Sequence, residues 1–146
     1  MENFSTDVKI TTALDYTSGT AVRNGATLDM QGYESVMVAV HFATIAAGGT
    51  NSIKMQQDSA SGMGTAADLL GTSQSVAVTD DDEIYWIDLV KPRERYVRLV
   101  MTKDTSNACA ESAVYYQYGP KKLPVSNTVA DAVTGEIHVS PAEGTA

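Results

Sequence analysis

The chain has 146 residues, the size of one domain, and 43% of them are hydrophobic, enough to bury a single core without disulfides or metals. A formal charge of -8 repels nucleic acid, and a lone cysteine, Cys109, excludes an intramolecular disulfide framework and suits assembly in a reducing cytoplasm. Met1-Glu2-Asn3-Phe4-Ser5 lacks the basic and apolar regions of a signal peptide, and no apolar run approaches a membrane span, so neither export nor membrane insertion is expected.

Helical periodicity is nearly absent, and the chain reads as strands bounded by Gly, Asn, Asp and Ser turn signals. The first is expected from Asp7 to Asp15, followed by a turn at Arg23-Asn24-Gly25 and a weak strand from Ala26 to Met30. The clearest runs from Tyr33 to Phe42, with Val36, Val38, Val40 and Phe42 on one face and Met37, Ala39 and His41 on the other. Because that second face is only weakly polar, the strand is expected to be covered on both sides, in the middle of a sandwich or under a subunit contact. Ser52 to Asp58 is the next strand. Ser59 to Gly71 is an excursion and the one place for a short helical turn, and Ser73 to Val78 resumes the strand pattern.

Glu83 to Val90 and Arg95 to Thr102 flank Lys91-Pro92-Arg93-Glu94 and read as a hairpin. Ser112 to Tyr118 is a strand stopped by Gly119-Pro120, and a weak one is expected from Glu136 to Ser140. Eight or nine short strands imply an all-β fold, a single-domain β-sandwich of jelly-roll or immunoglobulin-like topology, between which the sequence does not choose. Residues 1–6 read as an N-terminal arm and 124–146 as a C-terminal extension ordered by neighbouring subunits.

Signals for chemistry are weak. The run Asp80-Asp81-Asp82-Glu83 has neither the alternation nor the central glycine of a calcium loop and reads as a solvated turn, with cation binding left open. His41, His138 and Cys109 are too few for a common structural zinc site, and no family signature supports a Cys-His dyad. The glycines form no phosphate-binding loop, and nothing singles out a pair of acids for glycoside hydrolysis. Trp86 with Tyr115, Tyr116 and Tyr118 could stack on sugars, although alternation sends Tyr115 to the opposite face from Tyr116 and Tyr118. No catalytic residue, cofactor or metal is therefore expected, and the chain reads as a binder of protein surfaces. The basic groups Lys91-Pro92-Arg93-Glu94-Arg95 and Lys121-Lys122 are too broken to track phosphates, so nucleic acid is not an expected partner.

Several stretches carry a family resemblance. They are Arg23-Asn24-Gly25 with Leu28-Asp29-Met30-Gln31-Gly32-Tyr33; Ser52-Ile53-Lys54-Met55-Gln56-Gln57; Ile87-Asp88-Leu89-Val90-Lys91-Pro92 leading to Arg95-Tyr96-Val97-Arg98; Gln117-Tyr118-Gly119-Pro120-Lys121-Lys122-Leu123-Pro124; and His138-Val139-Ser140-Pro141. In combination and order the chain resembles the head decoration (capsid cement) proteins of tailed bacteriophages. The resemblance implies a structural virion protein on the outer surface of the capsid, made in the host bacterial cytoplasm. It would be a homo-oligomer, a trimer before a dimer, that stabilises the expanded shell by bridging neighbouring major capsid subunits. Alternatives are a head-tail joining or tail protein, and a carbohydrate-binding module. The resemblance carries no residue map, so interface candidates come from the sequence: Phe4 on the N-terminal arm, Lys91, Arg93 and Arg95 at the hairpin turn, and Lys121 and Lys122 before the tail.

Overall fold

The computed structural model of the protein describes residues 3–127, 133–140 and 142–145. A helical turn, α1 (Phe4–Asp7), precedes ten strands: β1 (Lys9–Gly19), β2 (Arg23–Asn24), β3 (Leu28–Asp29), β4 (Ser35–Ile45), β5 (Asn51–Asp58), β6 (Ala67–Asp68), β7 (Gln74–Val76), β8 (Ile84–Val90), β9 (Tyr96–Thr102) and β10 (Cys109–Tyr118). Every pairing is antiparallel. One sheet runs β1-β10-β4-β8; in the other, β9 carries β2 and β3 on one side and β5 on the other, and β5 in turn pairs with β6 and β7.

The pairing is nested: β1 with β10, β2 and β3 with β9, β4 with β8, and β5 with β6 and β7. The chain is in effect one long hairpin, with its tip beyond β5, wrapped into two facing sheets. That is the jelly-roll arrangement of a β-sandwich, and it decides between the two topologies left open above. It also corrects the hairpin expected at Lys91-Pro92-Arg93-Glu94. β8 pairs with β4 and β9 with β5, so those four residues carry the chain from one sheet to the other.

Other expectations change too. Arg23–Asn24 is a strand rather than a turn, pairing with Met101 and Val100. No helix forms in Ser59 to Gly71. Asp58 accepts the backbone N–H groups of Ala60 (2.9 Å) and Thr65 (2.8 Å), Met63 adopts φ 52° and tucks under the loop, and Ala67–Asp68 adds a short rung beside β5. Glu136 to Ser140 forms no strand, because no edge pairs with it in this chain, and Val139 is 93% exposed. Parts of the expected arm and extension, at 1–2, 128–132, 141 and 146, lie outside the described residues. Among the described residues no helix is long and apolar enough to cross a membrane.

Val36, Val38, Val40 and Phe42 of β4 pack against Ile53 and Met55 of β5 and Val97, Leu99 and Met101 of β9, all fully buried. Tyr115, on the inner face of β10, sends its hydroxyl across the sandwich to the backbone N–H of Leu99 at 2.7 Å. Gly25 breaks the ladder between β2 and β3 at that point, and a Cβ there would lie 2.8 Å from the Tyr115 hydroxyl. At one end of the sandwich, Glu111 receives Arg23 on one oxygen (2.9 Å) and Lys103 on the other (2.6 Å). The Lys103 and Glu111 side chains are wholly buried, and Lys103 also donates to the carbonyl of Cys109 at 2.8 Å.

Candidate interaction surfaces

The inner face of the β1-β10-β4-β8 sheet is core; on its outer face α1 and residues 124–127 and 133–137 gather beside Ile10 and Tyr116, and no further helix or strand lies over β4 and β8 among the described residues. Within the chain β4 is covered on its inner side only, with Met37 and Ala39 half-buried and His41 exposed on the other, so the cover expected there falls to a subunit contact. Ile10 and Tyr116, Val114 and Ala39, and Trp86 lie on one continuous surface by register. Along β8 the residues of one parity, Ile84, Trp86 and Val90, are 64%, 59% and 61% exposed, with Asp88 among them. Scattered apolar residues on a surface are ordinary, whereas three aligned on an edge strand form a patch suited to contact.

Phe4 joins this same face. α1 folds back so that its ring meets Tyr116 edge-on at 5.9 Å, leaving it 50% exposed. The turn is held by Asn127, which donates to the carbonyls of Ser5 (3.0 Å) and Val8 (2.8 Å) while accepting the N–H of Ile10 (2.7 Å).

The basic candidates gather elsewhere. Arg93, Arg95 and Lys121 line an open groove of about 390 Å³ together with Glu34, Glu94, Gly32, Tyr33 and Pro92. Two of the basic residues are already engaged. Arg95 grips Asp29 with both arms of its guanidinium (2.9 and 2.7 Å), also meets Gln31, and lies 5.1 Å from the Tyr96 ring centre. Its guanidinium holds the Asp29 carboxyl below the usual carboxylate range. Lys91 pairs with Glu34 at 3.0 Å. Arg93, Lys121 and Lys122 pair with no acid among the described residues and are the cations open to a partner.

The acidic run is built into the fold. Asp80 accepts the Ala77 N–H and the Tyr85 hydroxyl, and Asp81 accepts the Ile45 N–H at 2.7 Å. The Tyr85 bond lowers the Asp80 pKa and pushes that of Tyr85 up to about 12. No group of three or more metal-binding side chains occurs among the described residues. The Cys-His dyad is not assembled either: Cys109 is buried on the inner face, whereas His41 is exposed on the outer face of the same sheet. Burial pushes the Cys109 thiol up to about 11, far from a reactive thiolate at neutral pH. Tyr115 is core and drops out of the aromatic group, whereas Trp86, Tyr116 and Tyr118 share the outer face, the Tyr118 hydroxyl being bound to Asp88 at 2.7 Å.

Sequence reading missed the edge. The alternation of Ile84, Trp86, Asp88 and Val90 is plain in the sequence, but the hairpin expected with β9 would have covered the side of β8 that the jelly roll leaves open.

The sequence matches no protein-family model and no curated protein. Among solved structures the chain is similar to PBSX exported protein XepA, with a TM-score of 0.55 and 14% identity over 98% of this chain and 46% of that one. It is also similar to PirA, with a TM-score of 0.45 and 15% identity over 71% of this chain and 93% of that one. The chain thus spans about half the length of XepA. At this identity the XepA likeness establishes a shared fold, and the fold is an all-β sandwich of two antiparallel sheets.

Proposed function

We propose that this chain is a structural protein of a tailed-phage particle that decorates the expanded head and bridges neighbouring major capsid subunits, acting by binding rather than by turnover. The observation that carries this reading is the outer face of the sheet around Phe4, Val114 and Tyr116, beside a separate groove that holds Arg93 and Lys121. Two chemically distinct docking surfaces on one rigid domain are what a bridging protein requires. Jelly rolls are a common architecture of viral shells, which supports the reading as analogy.

Physically, a shell under internal pressure fails where subunits separate, and a domain that contacts two of them adds buried area at those seams. Arg93, Lys121 and Lys122 would meet an acidic capsid surface, while Phe4 and the outer face around Val114 and Tyr116 would meet an apolar one. The test is to add purified protein to expanded heads of the phage and measure stoichiometry and resistance to heat and osmotic shock. Saturable binding in a fixed ratio with raised resistance is expected. Absence of binding would refute the reading.

A further inference from the structure

The four sheet edges of this jelly roll are treated differently. β2 and β3 are two residues each, and β6 and β7 are two and three, too short to template another strand. β1 is long but carries register shifts between Thr12 and Leu14 and between Leu14 and Thr17. It is also flanked by the segment that bonds Ile10, Val8 and Ser5 through Asn127. Short, bulged and covered edges are the usual protections against pairing.

β8 is neither short nor bulged, and its outward backbone is covered at one point, where the Gln74 side chain donates to the Trp86 carbonyl. It pairs with β4 over seven consecutive residues without a bulge. Its other side opens onto a groove of about 530 Å³, lined by Gly71, Thr72 and Gln74 across from residues 83–88. The backbone direction follows from two bonds. Glu83 accepts from Phe42 of β4, so odd-numbered residues face the sheet; Trp86 accepts from the Gln74 side chain at 2.9 Å, so Ile84, Trp86, Asp88 and Val90 face outward. The Gln74 side chain must therefore turn aside for a second strand to reach the Trp86 carbonyl.

We infer that β8 is a self-association edge, pairing antiparallel with β8 of a second copy about a two-fold axis through Ile87. This register is singled out by the residues. It uses the whole strand and sets Ile84 opposite Val90, and Trp86 opposite Asp88, of the second copy. Shifting the axis to Asp88 would place two carboxylates face to face, which is unfavourable. The axis at Ile87 also sets the acidic approach to β8, at Asp82 and Glu83, beside Arg93 and the Glu34-paired Lys91 of the second copy, twice by symmetry. A chain of net charge -8 thereby gains two local attractions where it associates. The contact is isologous and closed, and it joins two four-stranded sheets into one.

Size sets the strength. Seven residues at about 3.3 Å each, on an edge roughly 20 Å deep, bury about 450 Å² per subunit, or about 900 Å² in all. That lies below the roughly 1,200 Å² of a stable complex, so the dimer is weak, with a dissociation constant of about 1–100 µM.

Trp86 is the chain's one tryptophan and sits at the contact, so its fluorescence reports on it. Sedimentation of the purified full chain from about 1 to 300 µM is expected to show a monomer–dimer equilibrium. Over the same range Trp86 emission should move to the blue and acrylamide quenching should fall. The double variant Ile84→Lys, Val90→Lys should raise the dissociation constant at least about tenfold with an unchanged melting temperature. Tyr16→Lys, on the opposite edge of the sheet, should leave it unchanged. Raising salt should weaken the wild-type dimer. A chain that stays monomeric throughout, or a dimer in which Trp86 remains freely quenched, overturns the inference. Because no capsid is present, the outcome is independent of the decoration reading.

Discussion

Removing the Tyr115 hydroxyl tests the way the two sheets are joined. In Tyr115→Phe the ring still fills its place, but the N–H of Leu99, a fully buried residue, loses the partner 2.7 Å away. A buried donor left without an acceptor costs about 1–3 kcal/mol. For 146 residues the unfolding entropy is about 0.3 kcal/mol per degree, so the melting temperature should fall by roughly 3–10 °C. Gly25→Ala attacks the same junction from the other side, since its Cβ would lie 2.8 Å from the Tyr115 hydroxyl and 3.3 Å from the Ala13 carbonyl and the Leu99 side chain. In the Tyr115→Phe background the nearest of these atoms is gone, so Gly25→Ala should cost less there than alone, by about 0.5 kcal/mol or more. Urea unfolding of the four proteins of this cycle gives the coupling. Additive effects, or a Tyr115→Phe melting temperature within about 1 °C of the parent, would refute the role assigned to the hydroxyl.

The buried pair at the end of the sandwich makes a second prediction: Lys103→Met leaves Glu111 with only Arg23 and should cost about 3–5 kcal/mol, whereas Lys103→Met combined with Glu111→Leu should recover much of that loss in urea unfolding. A third concerns pH. Asp29, Asp58, Asp68, Asp80 and Asp104 are held below their ordinary 3.8, chiefly by Arg95, the Ala60 N–H, Lys54, the Tyr85 hydroxyl and the Ser106 N–H respectively. Their contribution to stability is present above about pH 4 and lost as pH falls below it, so the melting temperature should drop steeply on acidification. Burial raises the pKa values of Cys109, from 9.0 to about 11, and Tyr115, and the Asp80 bond raises that of Tyr85, from 10.0 to about 12. Their contribution is complete below about pH 9 and lost as pH rises through 11 and 12, which circular dichroism across an alkaline titration should show.

Strand positions were largely legible because one face of each long strand is buried, and period-two alternation records that burial directly. Val36, Val38, Val40 and Phe42, or Val97, Leu99 and Met101, announce both the strand and its inner face. What the alternation does not record is the partner. Lys91-Pro92-Arg93-Glu94 has turn chemistry, and turn chemistry is the same whether the chain returns within a sheet or crosses to the facing one. The short rungs β2 and β6 were missed because two residues carry no period. Glu136 to Ser140 failed the opposite way, with a good pattern and no edge to receive it. The basic side chains were found by type, but only the folded chain shows Arg95 committed to Asp29 and Lys91 to Glu34, leaving Arg93, Lys121 and Lys122 for a partner.

The two proposed contacts are physically linked through β8. Val90, the last residue of the open edge, is followed two and three residues on by Pro92 and Arg93, which line the groove, so an edge pairing and a contact through Arg93 share one corner of the domain. A weak two-fold contact of about 900 Å² has little effect for a dilute chain. On a shell, where each copy is already held by its capsid contact, a neighbour within reach presents an effective concentration in the millimolar range, and the same weak edge closes almost completely. The strength of the edge pairing would then depend on occupancy: sparse copies bind singly, and adjacent copies lock each other in place. Decoration would therefore fill with positive cooperativity, and the Ile84→Lys, Val90→Lys variant would still bind heads but along a non-cooperative isotherm. Loss of single-copy binding in that variant would mean instead that β8 meets the capsid itself.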